Sequence, residues 1–495
     1  MKKSLFRNLR MQSYLQLLNT AIPLITTPYV ARVLGPENTG AYSFALSIVT
    51  FFVLFALLGT NNYGTRTIAG SKNEEEKLAN FWGIYSIQIV SVLASTFFYL
   101  LYCLFFNHSG PIAYCFLIFL FAYLFNIQWY YYGCEEFQST TMAHMICRIA
   151  SVVCLFLFVK QSSDVILYAV LMVGFESLPF LLLWGGKFFH NKIPFQKITF
   201  IEIKKHIKPN LILFIPLLAM SVYHIMDKVM IGYFSSDVQG GYYYNIEKII
   251  NVPLGLFTGF STVLLPRMTV MYSANKENAV RFFNKSLSVL MMFGFAVTFG
   301  IISVSKEFVP LFLGEEYISC IQLVNVFAPV LIIKCISDAI RTQLLIPGKK
   351  ESIFIRATIL GTVVNLFTNA ILIPKLGALG AIIGTIVAET TGLIYQLIQT
   401  RKEIKIVKVL IESLVFAAFS VVMFFVVRLA STIDFNSFVG IGTHYHFCLM
   451  LKVLFEVLCG AGVYVILALA YSIISKNLIY DFIRSACQKE KASDS

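Results

Sequence analysis

The sequence predicts an all-α polytopic membrane protein: about fourteen transmembrane helices in two pseudo-symmetric lobes around a central cavity. Three observations predict it. Of 495 residues, 58% are hydrophobic and 13% charged, with a mean hydropathy of +0.76; soluble domains carry about 25% charged residues. Apolar runs recur at about the ~20 residues that cross a bilayer. The second half of the chain also echoes the first at a fixed offset.

Taken in order, the candidate spans are about 11–34, 38–60, 79–106, 111–132, 140–160, 164–186, 208–232, 241–266, 286–305, 319–346, 353–373, 379–400, 408–430 and 447–474. The first follows a basic start, MKKSLFRNLR, as a signal peptide would. Its run contains Asn19, Pro23 and Pro28 with no small-residue cleavage site after it, so it reads as an uncleaved span. An even count puts both termini on one side. If that side is cytoplasmic, 28 of the 39 lysines and arginines fall in cytoplasmic segments. Only Arg32, Lys160, Lys306, Lys375 and Arg428 fall opposite. That bias is the positive-inside rule, so both termini are expected in the cytoplasm.

The expected organisation is an N-terminal lobe over 1–186, a basic inter-lobe loop over 187–207 and a second lobe over 208–400. Two additional spans over 401–474 and a cytoplasmic tail over 475–495 complete it. At an offset of 200 residues, Gly40-x-Tyr42 matches Gly240-x-Tyr242 and Gly59 matches Gly259. Both copies keep the same orientation, which suggests lobes related by an axis normal to the membrane. Pro23, Pro28 and Pro216 interrupt the first span of each lobe, as in broken helices that line a site. The stretch 208–250 is the expected wall of the cavity.

Ionisable side chains at bilayer depth are costly and mark functional interiors. The candidates for the substrate cavity are Arg148, Asp227, Lys228, Lys248, Lys334, Asp338 and Arg341. Lys334, Asp338 and Arg341 are spaced i, i+4 and i+7 and share one helix face. Asp338 can satisfy one cation, which leaves a positive stripe suited to a phosphate or pyrophosphate. An intra-bundle salt bridge is the alternative. Asp227 and Glu389 are candidates for proton or sodium coupling, with a structural ion pair as the other reading. Lys452 and Glu456 read as a structural pair near a span end, and Trp129 to Tyr132 as an interfacial aromatic belt.

Several classes are excluded. There is no P-loop, H-E-x-x-H, G-x-S-x-G or cofactor-type glycine turn, so no catalytic residues, metal site or cofactor are expected. The formal charge of +13 is scattered between apolar spans, which argues against nucleic acid. Ten cysteines lie mostly in apolar stretches without metal spacing.

Certain stretches carry a resemblance. PYVARV (28–33) with LGPENTGAYSFALSI (34–48), then LFALLGTNNYGTRTIAG (54–70), resembles bacterial polysaccharide flippases. These are of the Wzx or O-antigen-transporter type, in the multidrug/oligosaccharidyl-lipid/polysaccharide exporter superfamily. Trp129-x-x-x-Gly133-x-Glu135, Asp227-Lys228-x-x-x-Gly232 and Gly241-Tyr242 ahead of Lys248-Ile249 continue it, as does the block 344–389. YYYNIEKI departs from the small residues the family more often has after the tyrosine. The resemblance implies a secondary transporter of the bacterial plasma membrane rather than an enzyme. It would export an undecaprenyl-pyrophosphate-linked oligosaccharide repeat unit for surface polysaccharide by alternating access. Implied partners are the lipid-linked oligosaccharide, membrane lipids, and a polysaccharide polymerase with chain-length machinery. The competing expectations are a multidrug or peptidoglycan-precursor exporter of the same superfamily and a membrane-embedded polymerase.

Overall fold

The computed structural model describes residues 2–106, 108–189, 193–404, 406–433 and 445–475, and nearly all of them are helical. Twelve helical segments among the described residues are long and apolar enough to cross a membrane. The first of these holds two of the expected spans. Helix α1, Lys2–Leu57, is broken at Gly35, whose φ of 74° and ψ of 174° leave the helical region. Only glycine reaches that backbone conformation without strain, and Pro36 restarts the helix where a missing N–H is harmless. Asn38 Nδ2 donates to the Leu34 carbonyl at 3.0 Å, and Thr39 Oγ1 to that of Gly35 at 2.9 Å, so the break leaves these acceptors satisfied.

The chain forms two compact units, Met1–Tyr244 and Asn245–Ser495. The first holds α1, α2 (Thr60–Ala69), α3 (Glu74–Phe105), α4 (Pro111–Ala122), α5 (Gln128–Gly133), α6 (Phe137–Phe158), α7 (Val165–Phe189) and α8 (Phe200–Phe234). The start of α9 (Asp237–Ala274) belongs to it too. Helix α8 covers the expected span 208–232 and packs on α1, α2 and α3. Its start is set by a capping box, Thr199 Oγ1 accepting from Glu202 N while Glu202 reaches back to the Thr199 N–H. The core joins α1, α3, α4, α6 and α7 through side chains such as Val49, Tyr99, Phe116, Leu120 and Ala169.

The 200-residue repeat acquires a physical meaning here. A Cβ on Gly40 would lie 1.7 Å from the Asp237 carbonyl oxygen, and one on Gly241 would lie 1.9 Å from that of Pro36. Thus the restart of α1 and the first turn of α9 touch backbone to backbone, and Gly40 with its repeat counterpart Gly240 are part of that contact. Neither carbonyl can retreat without shifting a helix.

The second unit holds the rest of α9, α10 (Lys276–Leu313), α11 (Cys320–Phe327), α12 (Val330–Ile340), α13 (Glu351–Leu376), α14 (Ala378–Thr400), α15 (Ile406–Ala430) and α16 (Tyr445–Ser475). Met268, Phe283, Leu287, Ile336, Ile340, Leu344 and Leu393 form its main core. A separate cluster of Val304, Met423, Val427, Tyr464 and Ala468 joins α10, α15 and α16. In both units large apolar side chains stay exposed along helix faces, among them Phe97, Phe105, Val263, Leu429 and Leu458. Such a surface is unfavourable in water and suits hydrocarbon.

One expectation is corrected. Trp129, Tyr130 and Tyr131 are buried, not part of an interfacial belt. Trp129 stacks on Phe81 at 5.4 Å and its Nε1 donates to Gln88 Oε1 at 3.0 Å. The Gln88 amide in turn donates to the Tyr123 and Asn126 carbonyls, so a polar group in the core is satisfied rather than stranded.

Candidate functional site

Polar side chains set into the apolar helices fall into distinct groups, each within one unit. In the first unit, Arg148 on α6 bonds Glu176 on α7, Nη2 to Oε2, at 2.9 Å. Both side chains are about one-third exposed, so the pair keeps some access to its surroundings. Tyr42 lies within electrostatic reach of both residues and contacts Phe116, Tyr168 and Tyr244, at 5.7, 4.8 and 6.4 Å between ring centres. An ion pair beside several tyrosines offers both charge and ring faces.

Asp227 on α8 is buried, and Tyr243 on α9 donates its hydroxyl to Asp227 Oδ2 at 2.5 Å. Lys228, the next residue on α8, is half-buried. Lys248 lies further along α9, also half-buried, in the second unit.

The largest group in the second unit is on α12. Lys334 Nζ meets Glu389 Oε1 of α14 at 3.2 Å, with side-chain exposures of 25% and 17%. One helical turn on, Arg341 Nη2 bonds Asp338 Oδ1 at 2.5 Å, and its guanidinium lies 5.1 Å from the centre of the Phe354 ring. Each of the two cations therefore has a carboxylate. The stripe expected from spacing alone is charge-balanced in this conformation, with Asp338 Oδ2 still buried and unpartnered. At Arg341 the α-helix opens into a π-helical turn, Arg341–Leu345, an irregularity often found at functional sites. Gln396 on α14 donates to Ser337 Oγ at 2.8 Å, and Gln343 to Ser261 Oγ at 3.3 Å, continuing the polar seam.

Three partners escaped the reading of the sequence. Tyr243, the middle tyrosine of YYYNIEKI, is a donor to Asp227. Lys452 does not bond Glu456 across its own helical turn; it meets Glu307 of α10 at 3.5 Å. Glu403, between α14 and α15, bonds Lys276 at 2.6 Å and Lys350 at 2.5 Å. Burial would raise its carboxyl above the usual range, but the two ammonium groups outweigh burial and hold it below. Helix α10 begins at that point with Asn275 accepting from the Glu277 and Asn278 N–H groups.

Comparison with known proteins fixes the family. The profile of a family described as polysaccharide biosynthesis protein matches residues 5–272, more than half of the chain. The chain belongs to that family. Among curated members of related sequence, a protein called a putative O-antigen transporter from Escherichia coli (strain K12) is 23% identical over 415 residues. The alignment covers 81% of this chain and 98% of that one. A second, of the same description from Shigella dysenteriae, is 24% identical over 390 residues, covering 77% and 96%. Of solved structures, the lipid II flippase MurJ in an inward closed conformation superposes with a TM-score of 0.71 at 16% identity. It covers 96% of this chain and all of that chain. An inward-facing MATE multidrug transporter of the MOP superfamily gives 0.58 at 14% identity, over 80% and 95%. The fold is thus shared with MurJ and with that MATE transporter. Within this family member, Arg148, Asp227, Lys228 and Lys248 fall in the region matched by the family profile, while Lys334, Asp338, Arg341 and Glu389 lie beyond it.

Proposed function

We propose that this protein is a flippase that moves an undecaprenyl-pyrophosphate-linked oligosaccharide repeat unit from the cytoplasmic to the outer leaflet of the bacterial plasma membrane. The observation that carries the reading is the set of partly exposed ion pairs, Arg148–Glu176, Lys334–Glu389 and Arg341–Asp338, held inside apolar helices of a polysaccharide-biosynthesis protein. Charges at that depth persist where they serve a polar path. Arginine and lysine suit a pyrophosphate, the first as a planar bidentate donor and the second as a point charge. Each cation is held by a carboxylate, which the more highly charged pyrophosphate would displace. Neighbouring tyrosines would face the sugars, and the prenyl tail would remain in lipid.

The lobes of the repeat, 1–186 and 208–400, would rock to alternate access, with spans 401–474 outside that repeat. Both termini would be cytoplasmic by the distribution of basic residues. Asp227 and Glu389, both within 208–400, remain the proposed coupling residues. The two relatives described as putative O-antigen transporters support the same substrate class. The second reading, a peptidoglycan-precursor exporter, draws on the fold shared with MurJ.

A deletion strain tests the proposal. Loss of surface polymer with complete lipid-linked repeat units accumulating in the cytoplasmic leaflet supports the flippase. Single units already on the outer leaflet would point to a polymerase. Failed peptidoglycan synthesis would favour the precursor exporter, and normal polymer with raised drug sensitivity a multidrug exporter.

A further inference from the structure

The least compensated ionisable group among the described residues of the last helices is Glu456. It lies inside α16 with 0% exposure, and neither carboxyl oxygen has a hydrogen-bond partner. Keeping a charged carboxylate in such surroundings without a hydrogen-bond partner is costly. Around it stand Glu307 from α10, Arg428 from α15 and Lys452 one turn earlier on α16, all within electrostatic reach. Lys452 Nζ is 3.5 Å from Glu307 Oε1, and Glu307 Oε2 is itself buried and unpartnered. The exposures grade outward, from 0% at Glu456 to 8% at Glu307 and 23% at Lys452.

We infer that Glu456, with Glu307 and Lys452, is a proton-binding site that lets the last two helices respond to the transmembrane proton gradient. One ammonium lies within electrostatic reach of two carboxyl groups, and this allows two discrete arrangements. With Glu456 protonated, Lys452 would stay with Glu307, the contact the structure holds. On release, the Glu456 O–H bond breaks, its electron pair stays on the carboxylate and the proton passes to water as hydronium. The new carboxylate then competes for Lys452, its i−4 neighbour, and draws that side chain away from Glu307 on α10. Uptake reverses the step. Because Glu307 and Lys452 belong to different helices, the protonation state of one side chain sets the tie between α10 and α16. A metal ion fits this site poorly, since the ammonium of Lys452 already meets the Glu307 carboxyl there. Among the described residues, moreover, no group of three or more His, Cys, Asp or Glu is placed to hold a metal.

The site lies near the ends of α10 and α15 that would face outward under the proposed orientation, where a proton gradient delivers protons. Its use in transport rests on the flippase reading; its existence does not. Glu456→Gln separates a carrier from a structural acid, because glutamine keeps the shape and neutrality of the protonated form. The expected result is a variant that reaches the membrane at normal levels but restores no more surface polymer than the empty vector. In infrared difference spectra of the purified full-length protein, taken between acidic and alkaline buffer, the protonated-carboxyl band should titrate in the wild type and vanish in Glu456→Gln. Lys452→Met, which removes the counter-charge of the ionised acid, should move that titration to higher pH. Normal export by Glu456→Gln, a band that survives the substitution, or an unmoved titration in Lys452→Met would each overturn the inference. Should the band titrate as expected while the wild type moves no lipid-linked unit, the site stands and the transport reading fails.

Discussion

Replacing Arg341 and Asp338 singly and together separates a substrate-binding cation from a structural ion pair. Arg341→Met removes the donor to Asp338 Oδ1, and Asp338 Oδ2 already lacks a partner among the described residues. Breaking a fully buried pair costs about 3–5 kcal/mol, whereas exposed pairs are worth about 0.2–1 kcal/mol. The two side chains are 31% and 19% exposed, between those limits, so we expect a loss of about 1–3 kcal/mol. Asp338→Asn should cost no more, since Arg341 keeps its contact with the Phe354 ring and is the more exposed partner. The double variant, with no unpaired charge, should recover to within about 1 kcal/mol of wild type. Thermal unfolding in detergent and membrane yield read that side of the cycle. Surface polymer in a complemented deletion strain reads the other. If Arg341 binds the pyrophosphate, the double variant is stable but inactive, and Asp338→Asn alone retains export. Export that returns with stability in the double variant would refute the reasoning and leave the pair a purely structural one.

Three further outcomes follow from the same geometry. Gly40→Ala places a methyl group 1.7 Å from a backbone carbonyl and should destabilise by at least the roughly 1–3 kcal/mol of ordinary overpacking, read as lost membrane yield. Gly174→Ala, where nothing lies within 4 Å, should be neutral or slightly stabilising; equal behaviour of the two would contradict the close approach. Tyr243→Phe removes the donor to a buried carboxylate and should cost about 1.5–3 kcal/mol in thermal unfolding, with no change refuting that bond. Glu403 is held below the ordinary glutamate value of 4.5, so its contribution is full above that value and is lost as pH falls through the lower folded value. Glu403→Gln should therefore lower stability at neutral pH and narrow its gap to wild type in acid, and a pH-independent gap would contradict the pairing.

The helical spans were legible because hydropathy and length act locally. So was the break at Gly35–Pro36, between the expected spans 11–34 and 38–60, since glycine frees the backbone and proline fixes it wherever they occur. Partners were not legible. Trp129 looks the same in a belt or a core until Phe81 and Gln88 are seen against it. Lys334 found its carboxylate on α14 rather than at Asp338 one turn away, and Lys452 found Glu307 rather than Glu456. In each case spacing along one helix suggested a partner, and a carboxylate on a neighbouring helix took the bond. The same competition left Glu456 bare, the feature that the chain alone disguised as an ordinary i, i+4 pair. The twofold echo of Gly40 and Gly240 was visible as a pattern, but its meaning, a close backbone contact, needed the third dimension.

The most direct test of the central claim is reconstitution. The purified protein would be placed in proteoliposomes loaded with undecaprenyl-pyrophosphate-linked repeat units from its own host, and the fraction of sugar accessible from outside would be followed in time. The account predicts transbilayer exchange that depends on the protein, requires both the pyrophosphate and the oligosaccharide, and is lost in Arg341→Met. Exchange no faster than in protein-free vesicles, from protein shown to be folded, would contradict it.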